Sequence, residues 1–238
     1  MYRLLIAAIL LGSISVPVSA GDAEIRNALQ KRFGDIKIES IARTPLSGVW
    51  EVFANGQILY TDETGNYVFV DAKLVDIGKH ANLTEQRLHE LTFVRFQDLP
   101  FDFAIKQVKG DGARKLAIFV DPDCPYCRQL QKELEKVDNI TIYYFLFPLG
   151  SVHPNAPAMA RVIWCAPDRE KAWLDYMTRQ IKPKAVGNCD TPVDKIIAFG
   201  DHKGVTGTPT LFFGNNQRVA SLVTAEQIEQ VLKLPPTE

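Results

Sequence analysis

Lys115-Leu116-Ala117-Ile118-Phe119-Val120-Asp121-Pro122-Asp123-Cys124-Pro125-Tyr126-Cys127 runs from an apolar strand through a turn into a closely spaced cysteine pair. The unbroken apolar stretch ending at Val120 reads as a buried strand, and Asp-Pro-Asp ends it. Beyond it Leu130, Leu134 and Val137 share one helical face, so Cys124 should open a helix. A thiol at a helix start meets backbone N–H groups without intrahelical partners and the positive end of the macrodipole. Both favour thiolate over thiol, which puts the pKa of such a cysteine in the range of roughly 3.5–7.5. Cys124 is therefore the expected nucleophile. Cys127, one turn on and deeper, is the expected resolving thiol. Pro125 is tolerated in the first turn, where its missing N–H costs nothing.

Outward from this stretch, strands alternate with helices, as in an α/β layer architecture. Ile140 to Phe147 is a second apolar, β-rich run, and residues 154 to 200 read as mostly helical. Thr210 to Phe213 and Arg218 to Val223 read as strands with Gly214-Asn215-Asn216 between them. Thr224 to Gln227 is a capping box for a helix with Ile228, Val231 and Leu232 inward.

Upstream the pattern differs. Asp22 can cap a first helix with Ile25, Leu29 and Phe33 on one face, and Gly34 suits its end. Ile36 to Ile41, Val49 to Ala54, Gln57 to Thr61 and Tyr67 to Val75 read as strands, with the hairpin signal Asn55-Gly56 between the second and third. A unit this small buries little core alone, so oligomerisation is a natural remedy. Asn82-Leu83-Thr84-Glu85 resembles a capping box, and the helix it opens carries Leu88, Leu91 and Val94 and should stop before Pro100. That helix reads as a rigid linker, with a core helix as the alternative.

The first twenty residues read as a secretory signal peptide: Arg3, an apolar run from Leu4 to Leu11, and Val18-Ser19-Ala20 at the cleavage site. The run is too short for a membrane anchor. A formal net charge of −1 leaves no basic footprint for nucleic acid. At 46% hydrophobic and 23% charged residues the chain is globular rather than disordered.

An exported protein meets an oxidising compartment, so its four cysteines matter. A structural zinc site would need a second close-spaced Cys/His pair. Cys165 and Cys189 are far apart and no histidine lies a few residues from either, so no metal and no other cofactor is expected. A purely structural Cys124–Cys127 bond across two residues would be strained. Cys165 and Cys189 lack an activating motif and are expected to form one structural disulfide across the helical region, a closure worth about 3 kcal/mol. A second redox-active pair is the alternative.

Gly207-Thr208-Pro209-Thr210 on its own is a turn residue before a strand. With the upstream Cys-x-x-Cys and the downstream strand–strand–helix, it resembles the cis-proline loop of the thioredoxin superfamily, which leaves the Thr208 backbone free to pair with an extended substrate. Phe119 to Cys127, Ile163-Trp164-Cys165-Ala166 and Gly204 to Pro209 together resemble the DsbC/DsbG family of periplasmic protein disulfide isomerases, over essentially the whole chain after residue 20. Pro125 departs from the glycine usual in DsbC and is similar to DsbG.

The resemblance implies a two-domain α+β / α/β fold. A signal peptide (1–20) would precede a small antiparallel-sheet dimerisation domain (21–81). A linker helix (82–99) and a thioredoxin-like catalytic domain with a helical insertion (100–238) would follow. It implies a periplasmic homodimer, clients that are misfolded secreted proteins with wrong disulfides, chaperone-like client binding, and a membrane thiol reductase of the DsbD type as partner. Thr208, Pro209, Pro125 and Tyr126 would border the substrate. Two other functions compete: a dithiol oxidase that donates disulfides, and a redox-independent holdase. Asp121 and Asp123 could tune the thiolate or shuttle protons, with a helix cap as the plainer role for Asp123. His153 reads as a loop histidine before Pro154, with a place facing the site as the alternative. His80, His89 and His202 read as surface or packing residues.

Overall fold

The computed structural model describes residues 20–34 and 36–236, and the signal-peptide reading of the first twenty residues falls almost wholly outside them. The chain forms two compact units. One runs to Ala54 and includes Ile58–Ala72; the other comprises Asn55–Gln57 and the residues from Lys73 onward.

In the first unit helix α1 (Ala20–Phe33) covers a four-stranded antiparallel sheet ordered β1 (Ile38–Arg43), β2 (Val49–Ala54), β3 (Gln57–Asp62), β4 (Val68–Phe69). Ile25 and Leu29 are fully buried against Ile38, Trp50, Val52 and Ala54. The Arg26 guanidinium donates to the Ile38 carbonyl at 2.8 Å, tying helix to sheet. Phe33 is not on that face; it is 55% exposed. Phe33 is the last residue of the helix. Asn55 and Gly56 both have positive φ, 50° and 73°, as the hairpin turn requires.

The expected strand from Tyr67 to Val75 is broken. Val68–Phe69 pairs with β3, then Asp71 turns left-handed at φ 55°. Val75–Asp76 (β5) pairs instead with Ala81–Asn82 (β6). Helix α2 (Leu83–Thr92) follows directly, with Asn82 accepting from the Glu85 N–H at 3.1 Å. Glu85 does not complete a box, because its carboxylate binds Lys73. The helix ends at Thr92, well short of Pro100.

The second unit is built on a five-stranded sheet ordered β11 (Arg218–Val219), β10 (Thr210–Phe213), β8 (Arg114–Val120), β9 (Ile140–Leu146), β7 (Ile105–Lys109). Strands β8 and β9 are parallel, joined through helix α3 (Pro125–Leu134); the other pairings are antiparallel. Both faces of the sheet are covered, which explains the continuous apolar run of β8. Leu116, Ile118 and Val120 face α3, α4 (Ala156–Trp164), α5 (Arg169–Arg179) and α7 (Ala225–Leu232). Ala117 and Phe119 face an aromatic layer with Phe145, Phe147 and Phe212, packed on Ile196 of α6 (Val193–His202). Helices α4, α5 and α6 form the helical insertion between β9 and β10. The predicted strand from Arg218 to Val223 pairs only over its first two residues. Thr224 and Gln227 form a reciprocal capping box at α7.

Candidate active site

The C-terminal end of β8 delivers the turn that carries the cysteines. The Asp121 carboxylate accepts the Asp123 N–H at 2.7 Å, and the Asp121 carbonyl accepts the Cys124 N–H at 3.2 Å. The helix then starts at Pro125, with Cys124 as its N-cap in extended conformation (φ −71°, ψ 120°). Asp123 is not the cap: its carboxylate accepts from the Tyr176 hydroxyl at 2.8 Å, and Arg128 approaches it at 3.9 Å.

Cys124 and Cys127 are both free thiols, 3% and 2% exposed. They are electrostatically unlike. Cys124 is lowered to about 5, chiefly by the hydrogen bond from the Cys127 thiol, with help from the N–H groups of Cys127 and Tyr126; burial works against this. Cys127 is pushed far up, first by burial and then by Cys124 as its acceptor and neighbouring charge. One sulfur is thus a thiolate at neutral pH and the other a thiol.

The Thr208–Pro209 peptide bond is cis, and the Thr208 carbonyl lies 3.3 Å from the Cys124 sulfur. That contact serves the protonated thiol, while the N–H groups of the first turn serve the thiolate. Pro209 is buried, Thr208 half-buried, and Pro125 and Tyr126 are exposed beside the sulfur, Tyr126 by 57%. The structure therefore brings Cys124, Cys127, Thr208 and Pro209 together, with Pro125 and Tyr126 on the outer rim.

Cys165 and Cys189 are joined in a disulfide with Cα atoms 5.7 Å apart. It links the end of α4 to the segment before α6, where Arg161 also binds Thr191 and both carboxylate oxygens of Asp194. Among the described residues no group of three or more His, Cys, Asp or Glu is placed to hold a metal ion.

The sequence did not name the partners in the contacts that surround Asp121 and Asp123. Tyr176 and Arg128 bracket Asp123, with the Arg128 guanidinium 5.7 Å from the Tyr176 ring centre. His153 is not a plain loop residue: its Nδ1 lies 2.9 Å from the fully buried Asp121 carboxylate. The spacing of Trp173, Tyr176 and Met177 marks a buried helix face, but nothing local says which loop that face meets.

A low-pKa thiol and a buried resolving thiol, apposed to a cis-prolyl loop on this sheet, define a thiol–disulfide oxidoreductase. The comparisons narrow the class. Residues 101–234 match the model of the thioredoxin-like domain, and residues 16–85 match that of the disulfide bond isomerase protein N-terminal domain. The probable thiol:disulfide interchange protein DsbC of Bordetella pertussis is 40% identical over 217 residues, 91% of this chain and 76% of the relative. The thiol:disulfide interchange protein DsbC of Escherichia coli K12 is 26% identical over 227 residues, covering 94% and 92%. A crystal structure of a disulfide interchange protein from Neisseria gonorrhoeae superposes with a TM-score of 0.56 at 39% identity, over 59% of this chain and all of that one. The chain belongs to the DsbC family of thiol–disulfide isomerases.

Proposed function

We propose that this chain is a periplasmic protein disulfide isomerase and reductase acting on wrongly bonded secreted proteins. The observation that carries the reading is the geometry of the dithiol: Cys124 at the start of α3, its sulfur 3.3 Å from the Thr208 carbonyl of the cis-prolyl loop, and Cys127 buried one turn behind it. The Cys124 thiolate attacks one sulfur of a client disulfide. A Cys124–client disulfide forms, the client S–S bond breaks, and the second client sulfur leaves as a thiolate. When another client thiolate attacks the client sulfur of this mixed disulfide, Cys124 leaves as a thiolate and the client is rearranged without net redox change. When instead Cys127 gives up its proton and attacks the Cys124 sulfur, the client sulfur leaves and takes up a proton. The client has then gained two electrons, and Cys124–Cys127 is a disulfide.

A stabilised thiolate is a good leaving group, so the Cys124–Cys127 disulfide is readily reduced. A membrane thiol reductase of the DsbD type would restore the dithiol. Thr208 and Pro209 would present backbone to an extended client segment, with Pro125 and Tyr126 against its side chains. Cys165–Cys189 would be structural.

The division of labour follows the domains: 1–20 for export, 21–81 for pairing two copies, 82–99 as linker, and 100–238 for chemistry. Exposed Tyr67, Phe69 and Val70 at and beside the edge strand β4 support pairing, since an open apolar edge invites another strand. Two paired copies would also offer a surface for chaperone-like client binding. No helix among the described residues is long and apolar enough to cross a membrane.

The test is reactivation of scrambled ribonuclease in a glutathione buffer. The reduced protein should restore activity, Cys124→Ser should abolish the effect, and Cys127→Ser should accumulate a Cys124–client mixed disulfide. Oxidation of reduced ribonuclease without reshuffling of the scrambled form would overturn the reading in favour of a disulfide donor.

A further inference from the structure

Asp121 is fully buried three residues before Cys124, and every hydrogen bond to its carboxylate fastens the active-site turn. One oxygen accepts the Asp123 N–H at 2.7 Å; the other accepts the Leu149 N–H at 2.7 Å and meets His153 Nδ1 at 2.9 Å. His153 is itself seated: its N–H donates to the Leu149 carbonyl at 2.8 Å, and its carbonyl accepts from Ala156 at the start of α4. In a poorly screened place a nearby negative charge opposes the formation of a thiolate. The charged groups facing His153 are Asp121 from the end of β8 and Asp123 and Cys124 from the start of α3; all three hold its proton more tightly, Asp121 most. Asp123 is partly answered by Arg128 and Tyr176. Asp121 has only His153 as a cationic partner among the ion pairs of the described residues.

We propose that His153 is a positioning residue of the dithiol reaction: it pins Asp121, and with it the Cys124 turn, and its positive charge offsets the buried carboxylate that would otherwise oppose the Cys124 thiolate. This rests on the thiol–disulfide reading of the site. Coupling between the two groups is reciprocal, so the thiolate must stabilise the charged imidazole as much as the imidazole stabilises the thiolate.

Two measurements test it on the full chain. The first is alkylation of Cys124 by iodoacetamide against pH. His153→Gln, which keeps a polar side chain and removes the charge, should move the titration upward by about half to one pK unit and slow alkylation at pH 5 by roughly two- to fivefold. The rate at high pH should be unchanged. Asp121→Asn should move the titration the other way, which a loss of packing alone would not do. The second is an NMR titration of the His153 ring in the unmodified protein, dithiol against disulfide. His153 should hold its proton to higher pH in the dithiol form.

An unchanged alkylation profile in His153→Gln, or identical His153 titrations in the two redox states, would overturn the proposal. Should a variant fail to fold, the NMR comparison decides alone. Failure of the unmodified protein to reactivate scrambled ribonuclease would instead sink the reading on which the proposal rests.

Discussion

Folding lowers the Cys124 pKa from an ordinary value near 9 to about 5, so pH sets both reactivity and stability at this residue. Alkylation of Cys124 should rise about tenfold per pH unit below 5 and flatten above it, because only the thiolate reacts. A rate still climbing between pH 7 and 9 would mark an ordinary thiol. The same shift makes the dithiol form gain stability as pH rises from about 5 toward 9, and lose it as pH falls through 5. The disulfide form has no such contribution, so in denaturant titrations the stability of the dithiol form relative to the disulfide form should rise with pH. The roles of Cys124 and Cys127 could be argued from sequence because they depend on local geometry, a helix start three residues wide. A place facing the site was open to His153 in the sequence, but its pairing with Asp121 was not legible, because the two lie 32 residues apart and meet only once the segment after β9 folds back on the end of β8.

Helix α6 lies on the aromatic face of the sheet at Gly200, where a Cβ atom would sit 2.5 Å from Phe147 Cε2 and 3.3 Å from Phe119 Cε1. Gly200→Ala should therefore destabilise by roughly 1–3 kcal/mol despite the better helix propensity of alanine, measured by urea denaturation. A stabilised variant would mean that the helix stands further off. In the helical insertion, the Cys165–Cys189 bond closes a loop with a sequence separation of 24. Replacing both by serine should cost about 3 kcal/mol while leaving Cys124 reactive. Loss of Cys124 reactivity in a folded variant would point to a second redox pair. Elements with a strong period were legible: β8, α3, β9 and the capped α7. Those set by turns were not. Nothing in Tyr67 to Val75 signals that Asp71 adopts a left-handed backbone, and the apolar residues downstream of Thr92 read as helix although they pack without it.

The two-unit arrangement was readable from a change in pattern, from an Asn-Gly hairpin among short strands to strands alternating with helices. How copies associate was not, because an interface leaves no period in one chain. The proposed dimer predicts a solution mass of twice the single chain by sedimentation equilibrium, and a monomer at micromolar concentration would remove that part of the account. The central claim is that this dithiol works from its reduced state in an oxidising compartment. Acid quenching of cells that make the protein, followed by alkylation and mapping of each cysteine, tests it directly. The account predicts Cys124 and Cys127 mostly as thiols, with Cys165 and Cys189 still bonded. A Cys124–Cys127 pair found mostly as a disulfide would contradict it and identify a donor of disulfides instead.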